Sequence, residues 1–385
     1  MSTTKYNKWD DINIDIKTLR GIYAYGFEVP SPIQSQAIEP IIKGTDVIAQ
    51  AQSGTGKTGC FTIATLSSID ITEKKTQAIL LSPTRELATQ TYNVLKNIGK
   101  FHTDLTVQNI VGGTPVHECI NQLHSNIPHI IVGCPGRIFD MLYKRHIESK
   151  DIKLLILDEA DEMLSVGFKD QIYDIFQYLP ETMQVGLFSA TLSPEVMDLT
   201  GKFMKNPVNI LVKNDQLTLE GIKQHFVKVN SDTDKLNCLK DLYSLLSLSQ
   251  SIIYCNSVKR VDVLYNSLIK ENYPVTLIHS NLDKRERQDN YKKFVTGEYR
   301  VLISTNLTSR GIDVQQVSTV INFDMPKSQH TYLHRIGRSG RWGRKGLGIS
   351  FVSDYDSYLV KDFEKYYTTS ISELPEDVSK LLSCS

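Results

Sequence analysis

Ten short apolar runs, each about five residues long and bounded by turn-forming residues, constrain the architecture of this chain more than any other feature. In the first half they lie at 46–51, 78–82, 129–133, 154–159 and 185–189; in the second, at 251–255, 275–279, 301–305, 319–323 and 348–352. Polar and apolar residues do not alternate within them, which fits strands buried on both faces of a parallel sheet. The segments between, such as 85–100 and 262–271, carry apolar residues at helical spacing and are long enough for crossovers. At 385 residues the chain is too long for one ordinary core. The pattern predicts an α/β chain with two domains, 1–212 and 221–385. A polar stretch without a strong period, 213–220, is the expected linker.

Composition removes several classes of function. No apolar run reaches 18 residues, so no membrane span is expected. The start, MSTTKYNKWDD, has no apolar segment behind a basic one, so no secretory leader is expected. Cys60, Cys119, Cys134, Cys238, Cys255 and Cys384 form no C-x-x-C pair and read as free thiols of a reducing, intracellular compartment. With 43 basic and 43 acidic residues, the chain cannot hold nucleic acid by bulk charge; any such grip must come from a local groove. No low-complexity tail and no repeat of 20 to 50 residues is visible.

The strongest local signal is Ala51-Gln52-Ser53-Gly54-Thr55-Gly56-Lys57-Thr58, after one apolar run and before a helical stretch. Gly54 and Gly56 let the backbone turn tightly, so that successive N–H groups point at phosphate oxygens. Lys57 adds a charge for the β/γ-phosphates, and the Thr58 hydroxyl suits Mg²⁺. The helix that follows contributes its positive end. Ala51 stands where the common pattern has Gly. A chance G-x-G-K-T is the bland alternative, and the strand before and helix after count against it.

About a hundred residues later the run at 154–157 delivers Asp158-Glu159-Ala160-Asp161. Carboxylates at the carboxyl end of a parallel strand sit where such sheets bind ligands. An acidic cluster alone is often only a solvated helix start. Beside a phosphate loop, Asp158 reads as the metal carboxylate and Glu159 as the base for an attacking water. Together these features indicate a nucleoside triphosphatase without choosing its substrate.

The remaining motifs do choose. Pro83-Thr84-Arg85-Glu86-Leu87, Gly112-Gly113, Pro135-Gly136-Arg137, Ser189-Ala190-Thr191, Arg310-Gly311-Ile312-Asp313 and His334-Arg335-Ile336-Gly337-Arg338-Ser339-Gly340-Arg341 follow in order. With the phosphate loop and the D-E-A-D tetrapeptide, the chain resembles the DEAD-box family of superfamily-two helicases over residues 9 to 353. LRGIYAYGFEVPSPIQSQAI and GIDVQQVSTVINFDMP are most similar to its eukaryotic initiation factor 4A subfamily.

The resemblance implies two tandem RecA-like domains of the P-loop type, closing on ATP and RNA to separate a short duplex. It implies ATP and Mg²⁺ as cofactors, with Thr58 and Asp158 near the metal. Catalysis would fall to Lys57, Asp158 and Glu159, with Arg338 and Arg341 as arginine fingers worth roughly 10³ to 10⁵ in rate. Gln34 would read adenine against guanine, Phe27 and Trp342 would cover the base, and Asp313 would hold the ribose. A plain packing role is the alternative for Trp9, Phe27 and Trp342. RNA contacts would come from Thr84, Arg85, Gly113, Gly136, Arg137, Arg287, Thr305 and Arg310. Ser189, Thr191, Asp161 and His334 would couple the domains, with Arg335 supporting that network.

Four positions depart from the family pattern: Cys134 for Thr, Asn306 for Asp, Ser309 for Ala and Lys284 for Gln. They bear on RNA grip and coupling, not on phosphate or metal ligands. Two rivals remain on the residues alone. A non-catalytic RNA clamp would lack Lys57, Glu159 or Arg341; a DNA-translocating helicase would ordinarily lack Gln34 and the tetrapeptide. The expected partners are single-stranded or partly duplex RNA and a helical-repeat scaffold of translation initiation. A monomer without membrane attachment is expected, in the cytoplasm with the nucleus also open.

Overall fold

The computed structural model describes residues 5–51, 54–165, 167–211, 221–246, 249–308, 317–339 and 346–375. The expected linker 213–220, and Gln52, Ser53, Ser309, Arg310, Asp313, Arg341 and Trp342, lie outside the described residues, as does the Lys284 side chain. The chain divides into two compact units, Met1–Lys213 and Asn214–Ser385.

In the first unit the strands are β1 (Val47–Gln50), β2 (Ala78–Leu81), β3 (Val107–Ile110), β4 (Ile130–Gly133), β5 (Leu154–Asp158), β6 (Gln184–Ser189) and β7 (Val208–Leu211). Its helices are α1 (Ile16–Tyr25), α2 (Pro32–Ile42), α3 (Lys57–Ser68), α4 (Arg85–Ile98), α5 (Val116–Ser125), α6 (Pro135–Tyr143), α7 (Ala160–Ser165), α8 (Lys169–Tyr178) and α9 (Pro194–Phe203). The second unit has strands β8 (Ile222–Lys228), β9 (Gln250–Tyr254), β10 (Val275–Ile278), β11 (Val301–Ser304), β12 (Val317–Asn322), β13 (Gly346–Val352) and β14 (Ser372–Glu373). Its helices are α10 (Asp232–Leu246), α11 (Val258–Lys270), α12 (Lys284–Val295), α13 (Gln329–Ile336) and α14 (Ser357–Tyr367).

Each unit is one seven-stranded sheet, ordered β3-β4-β2-β5-β6-β1-β7 and β10-β11-β9-β12-β13-β8-β14. Raising every strand number of the first sheet by seven yields the second. The pairings are parallel, for example Ala78 opposite Ile130 and Leu154. Successive residues of one strand enter opposite layers. Leu80 joins the layer with Phe61 and Ile38, while Ile79 and Leu81 join the layer with Ile138 and Ile175. Both faces are covered by helices, so both need apolar residues, and alternation disappears from the sequence. This is the RecA-like α/β architecture in both units.

All ten apolar runs are strands; β3, β7, β8 and β14 are additional. These four lie at or next to a sheet edge, where one face or one rim meets water. β3 (VQNI) is mostly half-buried, β7 (VNIL) exposes two of its four residues, β8 (IKQHFVK) carries polar residues throughout, and β14 is only two residues long. Polar side chains are tolerated there, and the apolar signal fades. Among the described residues no helix is long and apolar enough to cross a membrane.

Candidate functional site

Strands β5, β6 and β1 are neighbours in the first sheet. Their carboxyl ends carry Asp158-Glu159, Ser189-Ala190-Thr191 and Ala51, so three motifs far apart in sequence meet at one rim. Ala51 is anchored there, donating its N–H to the Ser189 carbonyl at 3.0 Å. Gly54 and Gly56 have φ of 85° and 95°, and Gly56 caps the start of α3. A Cβ on Gly56 would lie 2.8 Å from Gln34 Nε2, so a larger residue would collide with α2 as well as strain the turn.

Lys57, at the first position of α3, is buried and aims back across the rim. Its Nζ lies 3.2 Å from Oε1 of Glu159, with both side chains only 5% exposed. Glu159 has φ of 52°, the left-handed region, in a residue that bears a Cβ. Such a conformation stores strain of order 1–3 kcal/mol and occurs preferentially where function requires the geometry. Asp158, at the end of β5, is 3% exposed, and its Oδ1 has no hydrogen-bond partner among the described residues. Burial and the Glu159 charge push its carboxyl up to about 8, partly opposed by Lys57. A buried carboxylate oxygen without a donor, near a phosphate loop that offers the Thr58 hydroxyl, fits a hard cation such as Mg²⁺.

Three of the four expected coupling residues are tied to one another within this unit. Thr191 Oγ1 donates to Asp161 Oδ2 at 2.7 Å, and the Asp161 N–H reaches Ser189 Oγ at 3.3 Å. Ser189 Oγ donates in turn to the Thr191 carbonyl at 2.7 Å. All three residues are buried. The Ser-Ala-Thr turn thus clamps the helix that begins behind Glu159.

Gln34 sits in a capping box at the start of α2. Its Oε1 accepts from the Ser31 N–H at 2.7 Å, and its Nε2 donates to the Gly56 carbonyl at 3.1 Å. Phe27 packs over Gly59, where a Cβ would meet the ring at 2.8 Å. Trp9 is wholly buried and lies nearly parallel to Phe27 at 6.3 Å between centroids; Tyr25, which the sequence did not single out, meets Phe27 edge-on at 4.9 Å.

Of the residues expected to contact RNA, Thr84 caps α4 through the Leu87 N–H at 3.2 Å. Arg85 lies over Gly112 and Gly113, and a Cβ on Gly113 (φ 80°) would come within 2.4 Å of its guanidinium. Arg137 donates to Cys119 Sγ and to the Thr114 carbonyl, both at 3.0 Å. Nothing in the sequence pointed to Cys119, which looks like one apolar position of an amphipathic helix. Cys134 precedes α6 without forming a side-chain cap, since a thiol sulfur is only a weak acceptor for the first-turn N–H groups.

In the second unit the carboxyl ends of β11, β9 and β12 are also neighbours. They surround Arg335, which is wholly buried. Its Nε donates to Asn306 Oδ1 (2.8 Å), one terminal nitrogen to Asn256 Oδ1 (2.7 Å), and the other to the Asp324 carbonyl (2.8 Å) and Asn322 Oδ1 (3.3 Å). Burial pulls this guanidinium down to about 10, so it stays charged at neutral pH. Arg335 is therefore a structural pin of this unit. His334 and Arg338 are buried beside it, with Arg338 Nε 3.3 Å from the His334 carbonyl. Arg287 is buried on α12, and Thr305 is half-buried after β11.

Comparison with known proteins places these features. Residues 31–199 match the DEAD/DEAH box helicase family, and residues 234–343 match the helicase conserved C-terminal domain. The chain belongs to the DEAD-box family of ATP-dependent RNA helicases, and within it to the eIF4A subfamily. It is 51% identical to the ATP-dependent RNA helicase eIF4A of Lodderomyces elongisporus over 98% of this chain and 94% of that protein. The eIF4A of Candida albicans is 50% identical over the same shares. Among solved structures, Saccharomyces cerevisiae Dbp5 bound to RNA and ADP BeF3 superposes with a TM-score of 0.90, 34% identity and 98% coverage of both chains.

Proposed function

We propose that this chain hydrolyses ATP when it holds single-stranded or partly duplex RNA, and that closure of its two units on both ligands separates short duplexes. The observation that carries the chemistry is the buried group of Lys57, Asp158 and Glu159, with Glu159 held in a strained backbone. Lys57 is charged and preorganised, and ATP phosphate gives it a stronger partner than Glu159. Released from that pair, the Glu159 carboxylate is placed to take a proton from the attacking water. The Asp161–Thr191–Ser189 tie holds the turn so that Glu159 keeps its position through the step. Thr58 and Asp158 would hold Mg²⁺, which supplies positive charge against the β/γ-phosphate oxygens. Arg338, with Arg341, would add charge to the transferring phosphoryl group.

Gln34 retains one amide hydrogen and one oxygen lone pair beyond its bonds to Ser31 and Gly56, which is enough to read an adenine edge. Backbone N–H groups at Gly113 and Gly136, with Thr84, Arg85 and Arg137, offer a sequence-independent phosphate track; Arg287, Thr305 and Arg310 would continue it. The Dbp5 complex with RNA and ADP BeF3 supports this reading. The similarity to eIF4A proteins supports a role in translation initiation; the reading further takes the chain to be a cytoplasmic monomer recruited by a helical-repeat scaffold. Phosphate release tests the whole reading: single-stranded RNA should stimulate it strongly and DNA of the same sequence should not. Equal stimulation by both would overturn the RNA assignment.

A further inference from the structure

We propose that the seam between α6 and α8 is a second RNA contact, a stacking site for a base on the strand leaving the Pro135-Gly136-Arg137 turn. This rests on the RNA reading above and extends it.

The two helices run side by side in the same direction. At their starts, a Cβ on Gly136 would lie 3.3 Å from Gln171 Oε1. At their ends, Tyr143 and Tyr178 meet with ring centroids 6.4 Å apart. Phe139 lies between, 5.9 Å from Tyr143 and 6.2 Å from Tyr178. Positions 136, 139 and 143 share one helical face, so the aromatic group continues the line that begins at Gly136, about 10 Å further along the axis. Tyr143 is 61% exposed and Tyr178 39%. Phe139 is half-buried and packs against the core beneath, so the two tyrosines carry the exposed aromatic surface.

The chain end of α6 adds a second, independent observation. The Arg145 N–H bonds the Leu142 carbonyl at 3.0 Å and the His146 N–H bonds the Met141 carbonyl at 2.8 Å, the paired bonds of a Schellman motif. Arg145 occupies its left-handed position, φ 58°, where Gly or Asn is usual. Its side chain is exposed and makes no ion pair or hydrogen bond with any described residue. The fold would be better served by Gly, so the charge itself is what this position supplies. Lys144, its neighbour, is held to Asp140 at 2.6 Å. Arg145 follows Tyr143 by two residues at the same helix end; exposed rings and an unpaired cation on one segment are the two elements that grip single strands without regard to sequence, since bases stack on the rings and a phosphate meets the charge.

The test uses the full chain with ADP–beryllium fluoride and polyuridine oligonucleotides of about five to twelve nucleotides, a range matched to typical single-strand sites. Wild-type affinity should climb with length. Replacing Tyr143 and Tyr178 together by Ala should remove roughly 5- to 100-fold of affinity for the longest strand, while leaving the shortest strand's affinity and its stimulation of ATP hydrolysis unchanged. Tyr143→Phe should keep the gain, since stacking needs only the ring. Arg145→Gly should raise the thermal midpoint yet make log K against log[salt] shallower by about 0.7 on the long strand. Wild-type length dependence in the double Ala variant, or parallel salt lines for Arg145→Gly, would overturn the site. So would normal RNA binding combined with loss of a copurified protein, which would make the patch a protein-docking face. Failure of wild type to bind even the short strand would overturn the RNA reading itself.

Discussion

Lys57 and Glu159 form a buried ion pair 102 residues apart in sequence, 3.2 Å from Nζ to Oε1. The pair joins the phosphate loop to the D-E-A-D turn, so the charge that would hold phosphate and the carboxylate that would activate water neutralise each other. Removing one partner leaves the other buried and uncompensated. Glu159→Gln leaves Lys57 without its partner until ATP phosphate supplies one, so ATP and RNA binding should persist while turnover falls by about 10² to 10⁴. Lys57→Ala should lose both ATP binding and hydrolysis. Single-turnover phosphate release with parallel nucleotide-binding measurements separates the two. Near wild-type hydrolysis by Glu159→Gln would show that Glu159 is not the base.

Gln34 makes a prediction with two readouts, because its amide holds both its own helix and the phosphate loop. Gln34→Glu keeps the acceptor for the Ser31 N–H but loses the donor to Gly56, so helix stability should be preserved while ATP affinity falls. Gln34→Ala should lose both, with about 1 kcal/mol of stability from the cap. GTP should be a poor substrate for wild type. Comparable kcat/KM for ATP and GTP would remove the base-reading role.

Acid should weaken the fold through three histidines. Burial lowers the pKa of His102, His129 and His225 from the usual histidine value. A depressed folded value means that folding favours the neutral ring. The contribution is full above the unfolded pKa near 6.5 and is lost as pH falls through that value towards the folded one. His129 Nδ1 accepts from the Thr106 N–H at 3.0 Å, so the ring must be neutral for this bond. Urea midpoints should fall from about pH 7 to about pH 5, and His129→Asn, which retains an acceptor that cannot protonate there, should flatten the fall. An unchanged pH profile in that variant would exclude His129 as a contributor.

Asn306 explains how a departure from the family pattern is accommodated. Arg335 is held by three amide oxygens and one carbonyl, and the Asp324 carboxylate is engaged by Arg260 at 2.6 Å. Asn306→Asp would convert the bond from Arg335 Nε into a charge-assisted one, worth about 2 kcal/mol. The thermal midpoint of the second unit should rise, with RNA-free ATP binding unaffected. A lower midpoint would mean that desolvating the new carboxylate outweighs the attraction.

Much of this protein was legible in the chain alone. Ten strands, the fully buried edge strand β10 among them, declare themselves because both faces of each must be apolar, and the phosphate loop and D-E-A-D turn because their chemistry demands those residue types in that order. Edge strands such as β3 and β7 were not legible, since one exposed side relaxes the requirement. Nor was the sheet order shared by the two units, which no short sequence repeat reveals. Contacts between distant residues were beyond reach for the same reason: a sequence states which groups exist, while strand order decides which of them meet. The neighbouring of β5, β6 and β1 brings Lys57 to Glu159 and Thr191 to Asp161. The neighbouring of β11, β9 and β12 gathers three asparagines around Arg335 and holds it inside the second unit. Residue identity determined the chemistry available to this chain; the order of parallel strands, set by burying both faces of each sheet, decided which residues share it.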